Sequence, residues 1–111
     1  MSRTFKLCVN VPKSHANEVR EAIGHAGGGQ VGHYSFCSFT ASGIGRFKAN
    51  EVANPHIGQS GVLEEVEEDH IEISPIDIKD VKSVVNALIE AHPYEEANYQ
   101  LIEIYRLEDV L

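Results

Sequence analysis

Phe5-Lys6-Leu7-Cys8-Val9-Asn10-Val11-Pro12 runs directly into Lys13-Ser14-His15-Ala16-Asn17-Glu18-Val19, and the change of period between the two stretches decides the fold. In the first, Phe5, Leu7, Val9 and Val11 alternate with Lys6, Cys8, Asn10 and Pro12, the two-residue repeat of a strand with one face in a core. Pro12 ends it. Ser14 then offers an N-cap, and Ala16, Val19, Ile23 and Ala26 recur at spacings of three and four until Gly27-Gly28-Gly29 stops the run. A strand followed by a helix with a single apolar stripe is the first part of a β-α-β unit.

Outward from this unit, residues 31–41 are rich in aromatic and small side chains and predict a second strand. It turns through Ser42-Gly43 into a short extended piece around Arg46-Phe47-Lys48. Asn54-Pro55 with Gly58 and Gly61 marks a long loop. The chain is extended again from Val62, but Val62 and Val66 stand on the opposite phase from Ile71 and Ile73. That requires a strand that is bulged, bent or shared between two neighbours. Asp77 or Ser74 caps a second helix with Val81, Val84, Val85 and Leu88 on its apolar face, ended by Pro93. Residues 97–107 form the last strand, with a phase change near Leu101-Ile102, and residues 108–111 lie beyond the core.

The order strand, helix, strand, strand, helix, strand makes two split β-α-β halves, and hence an α+β, ferredoxin-like βαββαβ sandwich of antiparallel sheet and two helices. Helices cover only one face of such a sheet. Apolar residues in both phases, Tyr34 and Phe36 against Val31 and Phe39, place a second subunit over the other face, so the expected assembly is a homo-oligomer.

A chain of 111 residues supports one domain, 1–111. No apolar run approaches the ~20 residues of a membrane span and no signal-peptide pattern opens the chain, so the expectation is no membrane and a cytoplasmic location. The formal charge of −8, with Lys79, Lys82 and Arg106 scattered, argues for no nucleic acid. Cys8 and Cys37 both fall in strand-like stretches and are expected reduced and buried.

Gly27-Gly28-Gly29-Gln30-Val31-Gly32 has the spacing of a dinucleotide fingerprint, but a helix precedes it and a strand follows, the reverse of the order that brings phosphate to a helix N-terminus. Six histidines are many for this length, and imidazole with carboxylate suits zinc, copper or nickel. With no His-Glu-x-x-His, no Cys-x-x-Cys and no helical His pair, a metal site has to be assembled from distant segments or from two subunits. The candidates are His33 and His92, with Glu95 or Glu96. Two accounts of His92 stand open: a ligand, or a side chain that closes the second helix through a hydrogen bond. His15, His25, His56 and His70 read as surface or turn residues. The acidic run Glu64, Glu65, Glu67, Glu68 and Asp69 reads as a solvated edge that resists strand pairing. There is no Gly-x-Ser-x-Gly elbow, no Walker-type lysine loop and no Trp for a carbohydrate platform.

Three segments together carry a family resemblance: Gly43-Ile44-Gly45-Arg46-Phe47 followed by Asn54-Pro55-His56-Ile57-Gly58; Gly32-His33-Tyr34-Ser35-Phe36-Cys37; and Ala91-His92-Pro93-Tyr94-Glu95-Glu96. Through them nearly the whole chain resembles the small YqfO-type domain inserted in dinuclear-metal proteins labelled GTP cyclohydrolase type 2 homologues, a domain related to the trimeric CutA and PII-like proteins. His56 stands where the family often has an apolar residue, and Glu51-Val52 where it has a glycine-containing turn. The resemblance implies a CutA/PII-like fold with an extended glycine-rich hairpin or loop between strands 2 and 3, assembled as a trimer or hexamer. Through the link of CutA-like proteins with copper tolerance it implies a divalent metal, zinc or copper, at subunit clefts, where His33, His92 and Glu95 are the expected ligands. The loop residues Gly43, Gly45, Arg46, Asn54 and Gly58 are expected either to cradle a small anion such as a nucleotide, as the corresponding loop does in PII proteins, or to clasp the next subunit. The dinuclear site of the longer proteins belongs to flanking domains, so the resemblance implies a stand-alone, non-enzymatic binding or regulatory module, or one that gates a dinuclear-metal partner.

Overall fold

A computed structural model describes residues 3–111. Along the chain lie β1 (Thr4–Pro12), a 3-10 turn (Lys13–His15), α1 (Ala16–His25), β2 (Phe39–Lys48), β3 (Leu63–Asp77), α2 (Ile78–Ala91), β4 (Asn98–Ile104) and α3 (Leu107–Val110). The strands form one antiparallel sheet in the order β2-β3-β1-β4, and α1 and α2 lie together on one of its faces. This is the expected ferredoxin-like arrangement.

Alternation in the two central strands supplies the core. Leu7, Val9 and Val11 of β1 and Ile71 and Ile73 of β3 point toward Val19 and Ile23 of α1 and Val84 and Leu88 of α2, and none of these is more than 2% exposed. Burial of each such side chain contributes roughly 1.5–3 kcal/mol. α2 is capped by Asp77, whose carboxylate accepts from the Lys79 N–H at 3.0 Å, which satisfies one of the free donors of the first turn. Ser14 does not cap α1. The 3-10 turn intervenes, and the Ser14 hydroxyl lies 2.8 Å from His15 Nδ1 instead.

The two phases of β3 have a simple origin. Its pairing with β2 runs unbroken from Phe39 opposite Glu72 to Lys48 opposite Leu63, whereas β1 accompanies it only from Glu68 onward. Ile71 and Ile73 therefore sit under the helices while Val66 lies on the opposite face of the same strand. An irregularity does occur, but further along, where Phe5 and Leu7 face Ile76 and Ile73 and β3 carries one extra residue. Fifteen residues at about 3.3 Å each span roughly 50 Å, and the molecule measures 50 × 23 × 23 Å. Thus β3 sets its long axis, and the far part of the β2–β3 hairpin is a two-stranded ribbon beyond the helices. The core ends at Asp69, which is buried and receives the Ser42 hydroxyl at 3.3 Å and Arg20 of α1 at 3.9 Å.

β2 departs from the expected range. It occupies Phe39–Lys48 rather than residues 31–41, and the piece around Arg46-Phe47-Lys48 is its continuation. Gly43, expected in a turn, and Gly45, expected in a ligand-binding loop, lie within it opposite Glu68 and Val66. Residues 31–38 are a connection in which Val31 and Tyr34 exchange two backbone hydrogen bonds of 2.8 Å, and the Phe36 ring packs over Gly24 and edge-on against His25 at 5.0 Å. Tyr34 and Phe36 therefore do not line the open sheet face, although Phe39 does. Cys37 lies in no strand and is only half-buried; Cys8 is buried, and both thiols are free. β4 pairs with β1 without interruption, so Leu101 and Ile102 simply face opposite sides and no phase change occurs.

Replacing fully buried Ile71 by alanine should cost about 2–5 kcal/mol in urea unfolding, whereas alanine at half-exposed Ile89 should stay within about 0.5 kcal/mol. Equal losses at the two positions would contradict the core described above.

Candidate functional site

The loop between β2 and β3 is built by its own polar groups. Asn50 Oδ1 accepts from the N–H of Val52 and of Ala53, each at 3.0 Å, and the Gly61 N–H donates to the Ala49 carbonyl at 2.6 Å. Gly58 has φ 83, and the Glu64 side chain occupies the space a Cβ would need, so this corner requires glycine on both counts. The folded loop reaches across to the turn after α2, where the Asn54 N–H lies 3.4 Å from both carboxylate oxygens of Glu95. Two segments far apart in sequence thus meet, and between them lies a groove of about 270 Å³ bordered by Arg46, Phe47, His56, Glu68, Tyr94 and Glu96.

Tyr94 stands at the centre of this groove. Its ring lies 5.8 Å from that of Phe47, 6.5 Å from that of His56 and 5.1 Å from that of His92, and its hydroxyl donates to Glu68 Oε2 at 2.8 Å. Glu68 can take that position because Gly45 has no side chain: a Cβ there would overlap the Glu68 carboxylate. Burial, and then the Glu68 carboxylate, push the Tyr94 phenol well above its ordinary pKa, so this group is a fixed donor rather than a base.

The His92 side chain bonds outside its own helix, to β1 and to the turn that follows. Its Nε2–H donates to the Asn10 carbonyl at 2.8 Å and its Nδ1 accepts from the Tyr94 N–H at 3.2 Å, so both ring nitrogens are engaged. Its burial lowers its pKa below the ordinary 6.5, against a smaller opposing effect of the Asn10 carbonyl. His33 is exposed at the tip of the tight turn, beside Gly32 and Val31, which border Thr4 and Pro75 at the start of β1. The two histidines consequently lie at opposite ends of β1, about 20 Å apart at its rise per residue, and one chain does not bring His33 together with His92 and Glu95. Of the loop residues, Gly43, Gly45 and Arg46 belong to β2, with Arg46 Nε 3.3 Å from Glu65, while Asn54 and Gly58 shape the loop itself.

One cluster escaped sequence reasoning. Cys8, His70 and Glu72 stand together on the open face of the sheet, with one ligand atom of each within 4.8 Å of the others. The signal was present as alternation, since positions 8, 70 and 72 are all out of phase with the core, but joining them requires the β1–β3 register.

The order β2-β3-β1-β4, the two helices and the outreaching hairpin define the ferredoxin-like arrangement of PII-type proteins, and Bacillus subtilis GlnK superposes with a TM-score of 0.55 over 93% of this chain and 86% of its own at 17% identity. Within that fold the chain is similar to one segment of the NIF3-related GTP cyclohydrolase 1 type 2 homologues. It is 50% identical over 97 residues to the Halalkalibacterium halodurans protein of that name, a match covering 87% of this chain and 26% of the relative. The crystal structure of a Bacillus cereus protein related to NIF3 superposes with a TM-score of 0.81 at 39% identity, over 95% of this chain and 26% of that one. The chain thus spans about a quarter of the length of the relatives it matches. No protein-family model matches it.

Two outcomes follow from the geometry around Tyr94. Tyr94→Phe should lose about 1.5 kcal/mol, the value of a hydrogen bond to a charged group, and Gly45→Ala should add little in that background because both changes dislodge Glu68; additive losses in a double-mutant cycle would show that the two are unconnected. Because His92 resists protonation when folded, the unfolded chain takes up the proton first as pH falls below 6.5. Stability should therefore drop as pH falls below that value, and level off once pH passes below the lower folded-state pKa. His92→Gln should flatten this dependence in paired thermal melts, and parallel curves would refute the assignment.

Proposed function

We propose that the chain is a non-enzymatic binding or regulatory module that works as a homo-oligomer, in which the β2–β3 hairpin clasps a neighbouring subunit and the groove at its base receives a small ligand. The observation that carries this is the two-stranded ribbon beyond the helices, with Ile44 62% and Leu63 54% exposed. Phe39 and Ile102 add exposed apolar surface on the sheet face left bare by the helices. A ribbon of two strands is marginal in water without a further surface to pack on, and a second copy of the chain supplies one. The PII-like fold supports a closed assembly of three or six. Free thiols at Cys8 and Cys37 accord with a reducing cytoplasm. Among the described residues no helix is long and apolar enough to cross a membrane.

The charge of the groove bears on its ligand. Glu68, Glu95 and Glu96 outnumber Arg46 and Lys48 there, and Arg46 is already paired with Glu65. A cationic or neutral polar molecule suits this lining better than a nucleotide. A zinc or copper ion held by His33 and Glu95, with His92 beside them, would have to form between copies, because these groups do not converge within one. A partner resembling the rest of the longer relatives would compete for the same apolar ribbon.

Native mass spectrometry before and after dialysis against a chelator tests the assembly and its metal content together. A trimer or hexamer is expected, and Ile44→Glu should shift it to monomer with unchanged far-ultraviolet circular dichroism. A monomeric wild-type chain would overturn the proposal.

A further inference from the structure

The open sheet face carries a group of side chains that neither the groove nor the ribbon uses. Cys8 and Glu72 are directly opposed on β1 and β3, and Asn10 and His70 form the next same-face pair. The donors of Cys8, His70 and Glu72 lie within 4.8 Å of one another. Cys8 is 8% exposed, while His70 and Glu72 are partly open to solvent, so the thiol forms the floor of the cluster and the other two its rim.

The orientation of the rim points to a cation. Asn10 Oδ1 lies 2.6 Å from His70 Nδ1 and can only accept, so Nδ1 carries the proton and the ring is fixed from behind. Nε2 lies 3.1 Å from Glu72 Oε2, so a positive centre, either a second ring proton or a metal ion, joins the pair. A histidine whose remote nitrogen donates to a fixed oxygen is also the usual outer support of a metal-bound imidazole. The other Glu72 oxygen is held by Lys6 Nζ at 2.7 Å, which turns Oε2 toward His70.

We propose that Cys8, His70 and Glu72 form a three-donor site for a borderline divalent transition metal of the zinc class, with a fourth position left for water. Sulfur, imidazole nitrogen and carboxylate oxygen are a set that zinc accepts, whereas magnesium and calcium take oxygen ligands. Bonds of about 2.0–2.3 Å set donors roughly 3.3–3.8 Å apart in a tetrahedral site, so the cluster closes around an ion through small side-chain rotations without moving the strands. The Cys8 thiol releases its proton to solvent on binding. All three donors come from a single chain, so the site needs none of His33, His92 and Glu95.

Cobalt(II) and zinc(II) titrations of the chelator-treated full chain test it. Wild type and Cys37→Ser should both develop a thiolate-to-cobalt charge-transfer band that zinc displaces; Cys8→Ser should lack it, and His33→Ala should keep it. Asn10→Ala, which removes the oxygen behind His70, should weaken zinc binding about tenfold or more, the range for losing outer support at a metal site, and His70→Gln should weaken it further. Should Cys8→Ser fold poorly, the rim variant Glu72→Gln serves instead, and zinc should raise the melting temperature of wild type but not of this variant. Absence of the band from wild type, its survival in Cys8→Ser, or an equal zinc shift in Glu72→Gln would overturn the proposal.

Discussion

The antiparallel ladder between β1 and β3 is the interaction on which everything else in this molecule rests. Each strand alternates apolar with polar residues, and their register puts Leu7 beside Ile73 and Val9 beside Ile71 on one face while putting Cys8 beside Glu72 and Asn10 beside His70 on the other. A slip of one residue would exchange the faces, driving His70 and Glu72 under the helices. The core and the polar cluster are therefore two products of a single alignment, and the bury-or-lose choice at Ile71 and Ile73 holds the cluster in place.

Asn10 links that alignment to the groove. Its backbone carbonyl receives His92 and its side chain orients His70, so one residue near the end of β1 anchors both the turn carrying Tyr94 and the rim of the cluster. From Tyr94 the connection continues through Glu68 to the bare backbone of Gly45. Glycine within β2 weakens the strand locally, and here its missing side chain is what admits the Glu68 carboxylate.

Much of this was legible in local patterns. The period of two over residues 5–12, the three-and-four spacing from Ala16 and from Val81, and the stops at Gly27 and Pro93 each follow from short-range geometry, and they suffice for the βαββαβ order. β2 was displaced because Ser42-Gly43 carries the composition of a turn, while the reason for a small residue at Gly45 lies across the sheet at Glu68. The resemblance pointed to the loop and to the segment around His92, and the structure joins these in one groove through Asn54 and Glu95. It could not say that His92 would spend both nitrogens on backbone partners. Cys8 reads from the sequence only as a buried thiol and His70 only as a surface or turn residue, although it lies half-buried in β3; what groups them with Glu72 is register, which no window of sequence contains.

The two-stranded ribbon also gives the molecule two stabilities rather than one. Among the described residues, 63–67 of β3 have β2 as their single strand neighbour, and β2 has none beyond them, so amides there open by fraying of an arm while those beneath the helices open only with the whole body. The latch of Asn54 on Glu95 and of Tyr94 on Glu68 sits between these regimes. An arm that opens parts Asn54 from Glu95 and Phe47 from Tyr94, contacts that border the groove, so the groove shares the lower stability of the ribbon rather than that of the core.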